Sequence, residues 1–471
     1  MNASLNLAEL IPPALYLLLL TYLGFRGRNR QAETENYILG GRLLTLPAFV
    51  ATLVTTWYGG ILGVGEYSYL YGISNWFVFG FPYYVFALLF AFFLAPRIRR
   101  SNLLSIPDQF FRHYGRASGL VGSVFTFFMT LPAAYVLMLG LLIQFLTGWP
   151  LWIGVLLGAI FSMGYVLSGG FTAVVRTDKL QFLLMFGGFI ILLFGALHRY
   201  GGFAFLRTHL PPDHLTLTGG NSWQYILIWF FIALWTFVDP GFHQRCYAAK
   251  TAGTARRGIL ISVGFWLLFD LLTTTTGLYA RAALTDINPA LSYPLLARQI
   301  LSPLMSGVFF TGLLATIMST VDSLSHLAAV TLGYDLLPKL LVRKRPGLAL
   351  LHAGLFISGI LSIILAVAVP SVLQIWYLIG TVFIPPMLLP LAGCYFPRLR
   401  MANRWTLVHL VGTFAVSTAF LGIAVYRSNS LADLQFLWHV QPMYLGLAVS
   451  LLLFLLHTAK EQMRNSRENQ I

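Results

Sequence analysis

Charged side chains are scarce in this chain. Only 10% of its 471 residues are Asp, Glu, Lys or Arg, 58% are hydrophobic, and the mean hydropathy is +0.76. Soluble domains carry roughly 25% charged residues, so this composition excludes soluble enzymes and soluble binding proteins. The apolar runs are about 20 residues long, which suits membrane-spanning helices rather than the short alternating strands of a barrel. The sequence therefore predicts an all-α polytopic membrane protein.

Acidic residues and cysteines are also few. The chain has 15 Asp and Glu against 30 Lys and Arg, a formal net charge of +15. In a soluble protein such an excess would indicate nucleic-acid binding, but in a membrane protein it is explained by basic residues retained on the cytoplasmic side. We therefore expect no nucleic-acid partner. Cys246 and Cys394 form neither a metal-ligand spacing nor a disulfide framework, so we expect free, structural thiols.

The apolar runs predict thirteen membrane spans, numbered here in chain order. Their expected ranges are 5–25, 46–71, 75–95, 118–146, 149–168, 178–197, 222–239, 258–280, 302–335, 350–370, 372–395, 404–426 and 439–458. The longest connections, near 198–221 and 281–301, are expected to carry short helices that lie on the membrane or cover a cavity. Residues 1–471 thus form a single transmembrane domain.

Basic residues predict the orientation of these spans. With the N-terminus outside, 25 of the 30 Lys and Arg residues fall in inner connections and 5 in outer ones. This asymmetry predicts an outer N-terminus and an inner C-terminus. Arg245 is assigned to the inner connection after span seven, so no Lys or Arg is expected in the middle of a span.

Span nine has an unusually polar face. At about 100° per residue, its polar side chains occupy an arc of roughly 160°, opposite Ile317, Val321 and Leu324. The polar set is Thr316, Ser319, Thr320, Asp322, Ser323 and His326. Because hydroxyls and a carboxylate are costly in lipid, this face must contact protein or water, and its oxygens suit a hard cation such as sodium. Simple helix packing through hydroxyls that bond to their own helix is the alternative interpretation.

Span two contains four glycines and Glu66 near the middle of the membrane, in Thr55-Thr-Trp-Tyr-Gly-Gly-Ile-Leu-Gly-Val-Gly-Glu66. Glycine weakens a helix and releases backbone groups. Discontinuous helices that bind a coupling ion are typical of one large class of transporters, so we expect a break here. Close packing through small residues is the alternative.

Five segments of the chain resemble the sodium/solute symporter family, which includes proline, sialic acid, sugar and iodide symporters. The matching motifs, in family order, are Leu39-Gly-Gly-Arg42, Gly169-Gly-Phe-Thr-Ala-Val-Val-Arg-Thr-Asp-Lys-Leu-Gln181, Gln244-Arg-Cys-Tyr-Ala-Ala-Lys250, Ala315-Thr-Ile-Met-Ser-Thr-Val-Asp-Ser323 and Gly380-Thr-Val-Phe-Ile-Pro-Pro386. The resemblance covers about residues 35–395. It implies a leucine-transporter-type core in which two five-helix repeats, about 46–197 and 222–395, are inverted, with one helix before and two after. It also implies a break in span seven, for which the residues themselves give no glycine signal.

The family resemblance also implies a sodium site between spans two and nine. Its ligands would be the carbonyls of Thr55, Tyr58 and Thr316 and the hydroxyls of Ser319 and Thr320. Some relatives bind a second sodium, and the matching positions here are Asp178, Asp322 and Ser323, with Asp322 replacing a serine. No other cofactor is expected.

Two acidic positions leave alternatives open. Asp322 and His326, four residues apart, could form a proton relay or part of a metal site. Asp270 in span eight must be paired, protonated or functional, and a hydrogen bond to the neighbouring Thr273–Thr276 run is an alternative to a functional role.

The resemblance places substrate contacts in the middle of several spans. The matching positions are Thr56, Trp57, Trp235, Gln374, Trp376 and Tyr377. Apart from the nearby Gln374, these lack the amides and the lysine that sugar carriers use, so a small solute that is partly apolar or held by backbone groups is expected.

Together these observations predict a sodium-coupled symporter, not an enzyme, that imports a small organic solute by alternating access. We expect a multi-pass protein of the bacterial cytoplasmic membrane, with the lipid bilayer and a small molecule as partners and no obligate protein partner. Proton coupling, a ligand sensor without flux and an integral-membrane enzyme are the alternatives. A sensor would usually join a signalling domain, and beyond Asp322 and His326 the scattered histidines form no recognisable catalytic constellation.

Overall fold

A computed structural model describes residues 6–25, 34–341, 347–428 and 434–468. Within these ranges the chain is helical and contains no β-strand, only one isolated parallel bridge between Leu44 and Ala249. Several basic residues of the inner connections lie outside the described residues, namely Arg26, Arg28, Arg30, Arg343, Lys344 and Arg345.

Among the first six spans, span two is interrupted by a 3₁₀ turn and span four by a short non-helical stretch, whereas the segments of span three follow one another without a gap. Span one is Leu7–Phe25; span two is Leu46–Trp57, a 3₁₀ turn Tyr58–Gly60, and Ile61–Tyr71; span three runs through Trp76–Gly80, Phe81–Leu89, Phe90–Leu94 and Ala95–Arg100; span four is Ile106–Met129 and Ala133–Thr147; spans five and six are one helical run, Leu151–Tyr200. Short helices Thr34–Leu39 and Gly40–Arg42 precede span two.

The remaining seven spans complete the bundle. Span seven is Trp223–Ile232, Trp235–Val238 and Pro240–Ala248; span eight is Ala252–Ala283; span nine is Pro303–Val330, Thr331–Leu336 and Leu337–Leu340; span ten is Leu348–Ala368; span eleven is Val372–Tyr395; span twelve is Asn403–Arg427; span thirteen is Pro442–Glu468. The long connections carry short helices as expected: Phe203–His209, Pro212–Leu215, Pro289–Leu291 and Ser292–Ile300. Pro397–Leu399 and Leu437–His439 form single 3₁₀ turns.

The described helices match the thirteen predicted spans one for one. Eleven are long and apolar enough to cross a membrane, and Leu7–Leu23 and Leu151–Gly164 are shorter apolar helices at the positions of spans one and five. Boundaries differ most at span four, where the helical run begins at Ile106 rather than near 118, and the run of span seven extends to Ala248 rather than ending near 239. Both cysteines are free and buried, as expected.

The division between spans five and six is a sharp kink at Gly170. Its φ of 54° and ψ of −148° lie in a region that only glycine adopts readily. A Cβ at this position would also lie 2.6 Å from the Tyr37 carbonyl oxygen. The motif Gly169–Gln181 therefore begins with a bend, at which the chain passes close to the helix Thr34–Leu39.

Span nine lies at the centre of the bundle. It packs against spans one, two, four, five, six and ten. From Ser306 to Gly333 nearly every side chain is buried, including Ile317, Val321 and Leu324 on the side opposite the polar face. Both sides of this helix are therefore buried in protein. The polar face differs from the opposite side in the residues that it contacts, not in its exposure.

Candidate functional site

The predicted break in span two is present and lies directly against span nine. The α-helix ends at Trp57, a 3₁₀ turn occupies Tyr58–Gly60, and the helix resumes at Ile61. A Cβ on Gly59 would lie 1.9 Å from the Thr320 Oγ1 atom. Only glycine therefore allows span two to approach span nine this closely.

Span nine reaches the backbone of this break through Thr320. Its hydroxyl donates to the Thr56 carbonyl at 2.7 Å and lies 3.5 Å from the Thr55 carbonyl oxygen. The Tyr58 hydroxyl donates to the Trp266 carbonyl at 2.8 Å, which ties the break to span eight. Carbonyl and hydroxyl oxygens thus converge at the interruption, where Thr55, Tyr58 and Thr320 are buried.

Ser319 points toward span six. Its hydroxyl donates to Asp178 Oδ1 at 2.6 Å, and the Thr52 hydroxyl of span two donates to the other carboxylate oxygen. All three side chains are fully buried. The Thr316 hydroxyl instead bonds within its own helix, to the Gly312 carbonyl at 2.7 Å. One hydroxyl therefore follows the packing interpretation, whereas Ser319 and Thr320 make contacts between spans.

A buried arginine lies beside this cluster. The Arg245 side chain is 0% exposed, and its Nη2 atom donates to Thr52 at 3.1 Å, Thr56 at 2.8 Å and Ser323 at 2.7 Å. The Thr56 and Ser323 hydroxyls are themselves hydrogen-bonded at 2.9 Å. Among the described residues, no carboxylate lies within 4.0 Å of this guanidinium. Spans two, seven and nine are joined by one cationic group.

Arg245 was assigned to the inner connection after span seven, but it lies in the last helical segment of that span, Pro240–Ala248, and its side chain is buried. The apolar run of span seven ends near Asp239 because Pro240, His243, Gln244 and Arg245 are polar or break helices. In the folded chain the helix restarts at Pro240 and buries these side chains. Their polar groups contact other spans, which hydropathy along one helix cannot reveal.

Span seven is broken as the resemblance implied. Its first helix ends at Ile232, Trp235–Val238 forms one turn, and Asp239 is extended, with φ −67° and ψ 116°. The Asp239 carboxylate caps the next helix by accepting the Phe242 N–H at 2.8 Å and accepts the Trp235 Nε1–H at 3.1 Å. Asp followed by Pro is a helix-start signal, so the residues did carry a mark of this break.

A cavity lies between the two broken spans and contains about 1190 Å³ of empty space, including open solvent at its mouth. Nine of its 24 lining residues are aromatic: Trp57, Tyr58, Phe79, Tyr83, Tyr135, Trp229, Trp235, Phe242 and Trp376. Thr320 also lines the cavity, which therefore adjoins the oxygen cluster at the span-two break. The space suits a small organic molecule.

Four of the six predicted substrate positions line this cavity, namely Thr56, Trp57, Trp235 and Trp376. The Trp376 ring lies against Gly60, where a Cβ would be 2.2 Å from the Trp376 Cη2 atom. Gln374 and Tyr377 lie outside the lining. The Tyr377 hydroxyl donates to Gln441 Oε1 at 2.5 Å, so it contacts the segment before span thirteen.

The contacts of Asp270, Asp322 and His326 bear on the roles that the sequence left open for them. Asp270 is buried, accepts a hydrogen bond from Tyr84 of span three rather than from the adjacent threonines, and lines the cavity. Asp322 is fully buried, and His326 Nε2 lies 3.3 Å from the Ile38 carbonyl oxygen. Across the part of the chain that the structure describes, no three His, Cys, Asp or Glu side chains form a group that could hold a transition metal.

A comparison with protein-family models decides between the classes of membrane protein. The model of the sodium:solute symporter family matches residues 37–399. The chain belongs to this family. As a family member it is a membrane transporter with sodium as its coupling ion, and it is not an enzyme. The proton-coupled, sensor and enzyme alternatives are therefore set aside.

Individual members of the sodium:solute symporter family are distant in sequence. The chain is 27% identical to the sodium/pantothenate symporter of Haemophilus influenzae over 352 residues, covering 68% of this chain and 70% of the relative. It is 25% identical to a high-affinity proline transporter of Bacillus subtilis over 380 residues, covering 75% and 78%.

A solved structure of a sodium-coupled sialic acid symporter covers 98% of each chain with a TM-score of 0.79 and 16% identity. At this identity the likeness concerns the fold alone. It confirms the leucine-transporter-type, all-helical architecture predicted from the sequence.

Sequence reasoning missed three features of this symporter's interior. Asp239 was not assigned a role, although Asp239-Pro240 is a helix-start signal in the sequence. Arg245 was not assigned one either, although it belongs to the motif Gln244–Lys250. The aromatic residues Phe79, Tyr83 and Trp229 were not singled out either, because single aromatics in a span are commonly packing residues. Only the convergence of spans two, three, seven and eleven shows that they surround one cavity.

Proposed function

We propose that this symporter imports a small organic solute together with sodium across the cytoplasmic membrane by alternating access. The observation that carries the proposal is the contact between the Thr320 hydroxyl and the freed backbone of span two at Thr55 and Thr56. An ion bound between these two elements would fix the position of the broken span. The adjoining cavity would then hold the solute next to that ion.

The proposed sodium ligands are the carbonyl oxygens of Thr55, Tyr58 and Thr316 and the hydroxyl oxygens of Ser319 and Thr320. Oxygen ligands of this kind suit a hard cation without strict geometric demands. The glycine cradle at Gly59 supports the assignment, since it brings Thr320 against the turn Tyr58–Gly60. The Asp178 carboxylate, bonded to Ser319, adds a negative charge beside the site.

A second cation site near Asp178, Asp322 and Ser323 stays a prediction. Ser323 accepts a hydrogen bond from Arg245, so a permanent positive charge already lies beside that position. A second sodium would have to share Ser323 with the guanidinium. The contacts therefore favour one sodium ion at the Thr320 site over two.

The two broken spans suggest how the ion and the solute could be released on the other side. Spans two and seven each begin one of the proposed inverted repeats, about 46–197 and 222–395, and their interruptions border the same cavity. Rocking of one repeat against the other would expose the cavity to each side in turn. The membrane potential adds about 2.3 kcal/mol per charge per 100 mV to inward movement of sodium.

Sodium titration of the purified protein tests the assigned site. Ser319→Ala and Thr320→Val each remove one proposed ligand, and each should raise the half-saturating sodium concentration at least about tenfold, equivalent to about 1.4 kcal/mol. Sodium binding is measured by the change in intrinsic tryptophan fluorescence at constant ionic strength, with potassium replacing sodium.

Thr311→Ala is the matched control for these variants. Thr311 lies on the same buried helix, but its hydroxyl bonds within that helix, to the Gly307 carbonyl at 2.8 Å, and it is not a proposed ligand. Its sodium titration should equal that of the unaltered protein. Unchanged titrations for both Ser319→Ala and Thr320→Val would show that sodium binds elsewhere.

A further inference from the structure

The charged residues that line the cavity are all acidic. Asp239 and Asp270 contribute to the lining, whereas none of the described Lys, Arg or His residues does. Arg245 lies outside the lining; its guanidinium donates to hydroxyls of Thr52, Thr56 and Ser323, and its charge also acts on Asp239 without a direct ion pair. A negatively charged solute would find no cationic side chain in the lining to pair with, which argues against an anionic group in the cavity.

The neutral part of the lining is aromatic rather than amide-bearing. The lining contains no Asn or Gln among the described residues, so the side-chain amides that commonly bind sugar hydroxyls are absent. In their place, Trp57 lies 5.0 Å from Tyr83 and 5.3 Å from Phe242, measured between ring centroids. Both contacts are edge to face, so the three rings pack together into one aromatic wall of the cavity.

Asp239 joins the aromatic cluster to a carboxylate. Its side chain is only partly buried and lines the cavity, so it remains accessible to a solute. It accepts the N–H of Phe242 and the indole N–H of Trp235, which both also line the cavity. Its position is therefore fixed within the aromatic wall by two hydrogen bonds.

We infer that the solute carries a positively charged, alkylated nitrogen, which lies against the aromatic wall of Trp57, Tyr83 and Phe242 and faces Asp239. Alkylated ammonium groups bind to aromatic rings beside a carboxylate. The ring faces attract the positive charge even when the nitrogen has no N–H group to donate. The inference rests on the proposed function, because it names the substrate class of the same cavity. The ammonium group could belong to a simple cation or to a zwitterion.

Four probes distinguish these sources. Binding to the purified protein is measured by tryptophan fluorescence in sodium and in potassium buffer, using choline, glycine betaine, pantothenate and the uncharged carbon analogue of choline. The inference predicts saturable binding of choline or glycine betaine and at least about tenfold weaker binding of the carbon analogue and of pantothenate. Preference for choline identifies a cation as the solute, and preference for glycine betaine identifies a zwitterion.

Two variants test the contacting residues. Asp239→Asn keeps a side chain that can cap the following helix but removes the charge, so it should weaken binding of the preferred ammonium probe at least about tenfold. Trp57→Leu should weaken it as well, whereas Trp57→Phe should retain most of the affinity. Asp286→Asn, an exposed acid far from the lining with φ 52°, is the matched control and should leave binding unchanged.

The outcomes separate this inference from the proposed function. If the carbon analogue or pantothenate binds as tightly as the ammonium probes, the inference is overturned, and a sodium dependence of that binding would still support the symporter site. If none of the four probes binds a protein that responds to sodium, the inference is likewise overturned. If an ammonium probe binds equally in sodium and potassium, the substrate class stands and the sodium site fails.

Discussion

Single residues explain why spans two and nine meet where they do. Gly59 has no side chain at the point where Thr320 lies closest, and any Cβ there would overlap the Thr320 side chain at 1.9 to 2.9 Å. Thr320 in turn uses its hydroxyl to contact backbone oxygens rather than its own helix. One small and one hydroxylated residue therefore form the core of the proposed ion site.

Gly59→Ala should separate the two spans and abolish most of the sodium response. The added methyl cannot be accommodated without moving span two away from Thr320, so the half-saturating sodium concentration should rise at least about tenfold. The sodium titration by tryptophan fluorescence measures this change. Gly264→Ala in span eight has open space around its Cβ and should titrate normally. A normal titration of Gly59→Ala would contradict the close-approach argument.

Arg245→Lys should fail to replace the native arginine. Lysine keeps the charge, but its single ammonium cannot reproduce both arms of the guanidinium, of which Nη1 donates to Gln244 and Nη2 to the hydroxyls of the cluster. We expect the sodium concentration at half-saturation to rise at least about tenfold. Arg257→Lys, at an exposed position, serves as the control. Equal titrations of the two variants would mean that Arg245 supplies charge alone.

At the level of helices, the chain uses interruptions rather than ideal spans. Spans two and seven break next to the cavity, and spans five and six are divided by the kink at Gly170. Each interruption has a local cause: glycines at Gly59 and Gly60, the Asp239-Pro240 helix start, and a backbone conformation reserved for glycine. Backbone groups released at these points lie inside protein rather than in lipid, as a membrane protein requires.

Gly170→Ala should destabilise the fold without touching the proposed ion ligands. A non-glycine residue at φ 54° and ψ −148° costs about 1–3 kcal/mol, and its Cβ would also meet the Tyr37 carbonyl at 2.6 Å. Thermal unfolding in detergent should show a lower midpoint than that of the unaltered protein. Gly164→Ala, on the same helical run with nothing within 4 Å of its Cβ, should not lower the midpoint. Equal midpoints would rule out strain at the kink.

At the scale of the whole molecule, the predicted orientation places the N-terminus outside and the C-terminus inside. It depends on the count of basic residues in the connections, part of which lies outside the described ranges. Span twelve offers a convenient test, because Ala402 and Gln435 are exposed and flank its two ends. The native cysteines are buried and should contribute little background.

Cysteine labelling at these two positions should therefore give opposite results. A membrane-impermeant maleimide added to intact cells should label Gln435→Cys and should label Ala402→Cys only after permeabilisation. The reversed pattern would place the C-terminus outside. Labelling of both positions in intact cells would show that span twelve does not cross the membrane as assigned.

The sequence by itself determined the number of spans, the polar face of span nine and the weak point in span two. These are local properties, since hydropathy, helical periodicity and glycine content act over one element. The motifs then identified the family, and through it the expected ion ligands. Short connecting helices and free cysteines also followed from local composition.

Only the tertiary structure decided which side chains meet. Ser319 bonds to Asp178 across 141 residues of chain, and the Arg245 guanidinium joins spans two and nine from a segment that reads as a polar connection. The aromatic cavity is likewise assembled from spans three, seven and eleven, none of which is distinctive alone. Burial of a polar group is tolerated when distant parts of the chain supply its partners, and a pattern along one helix does not contain those partners.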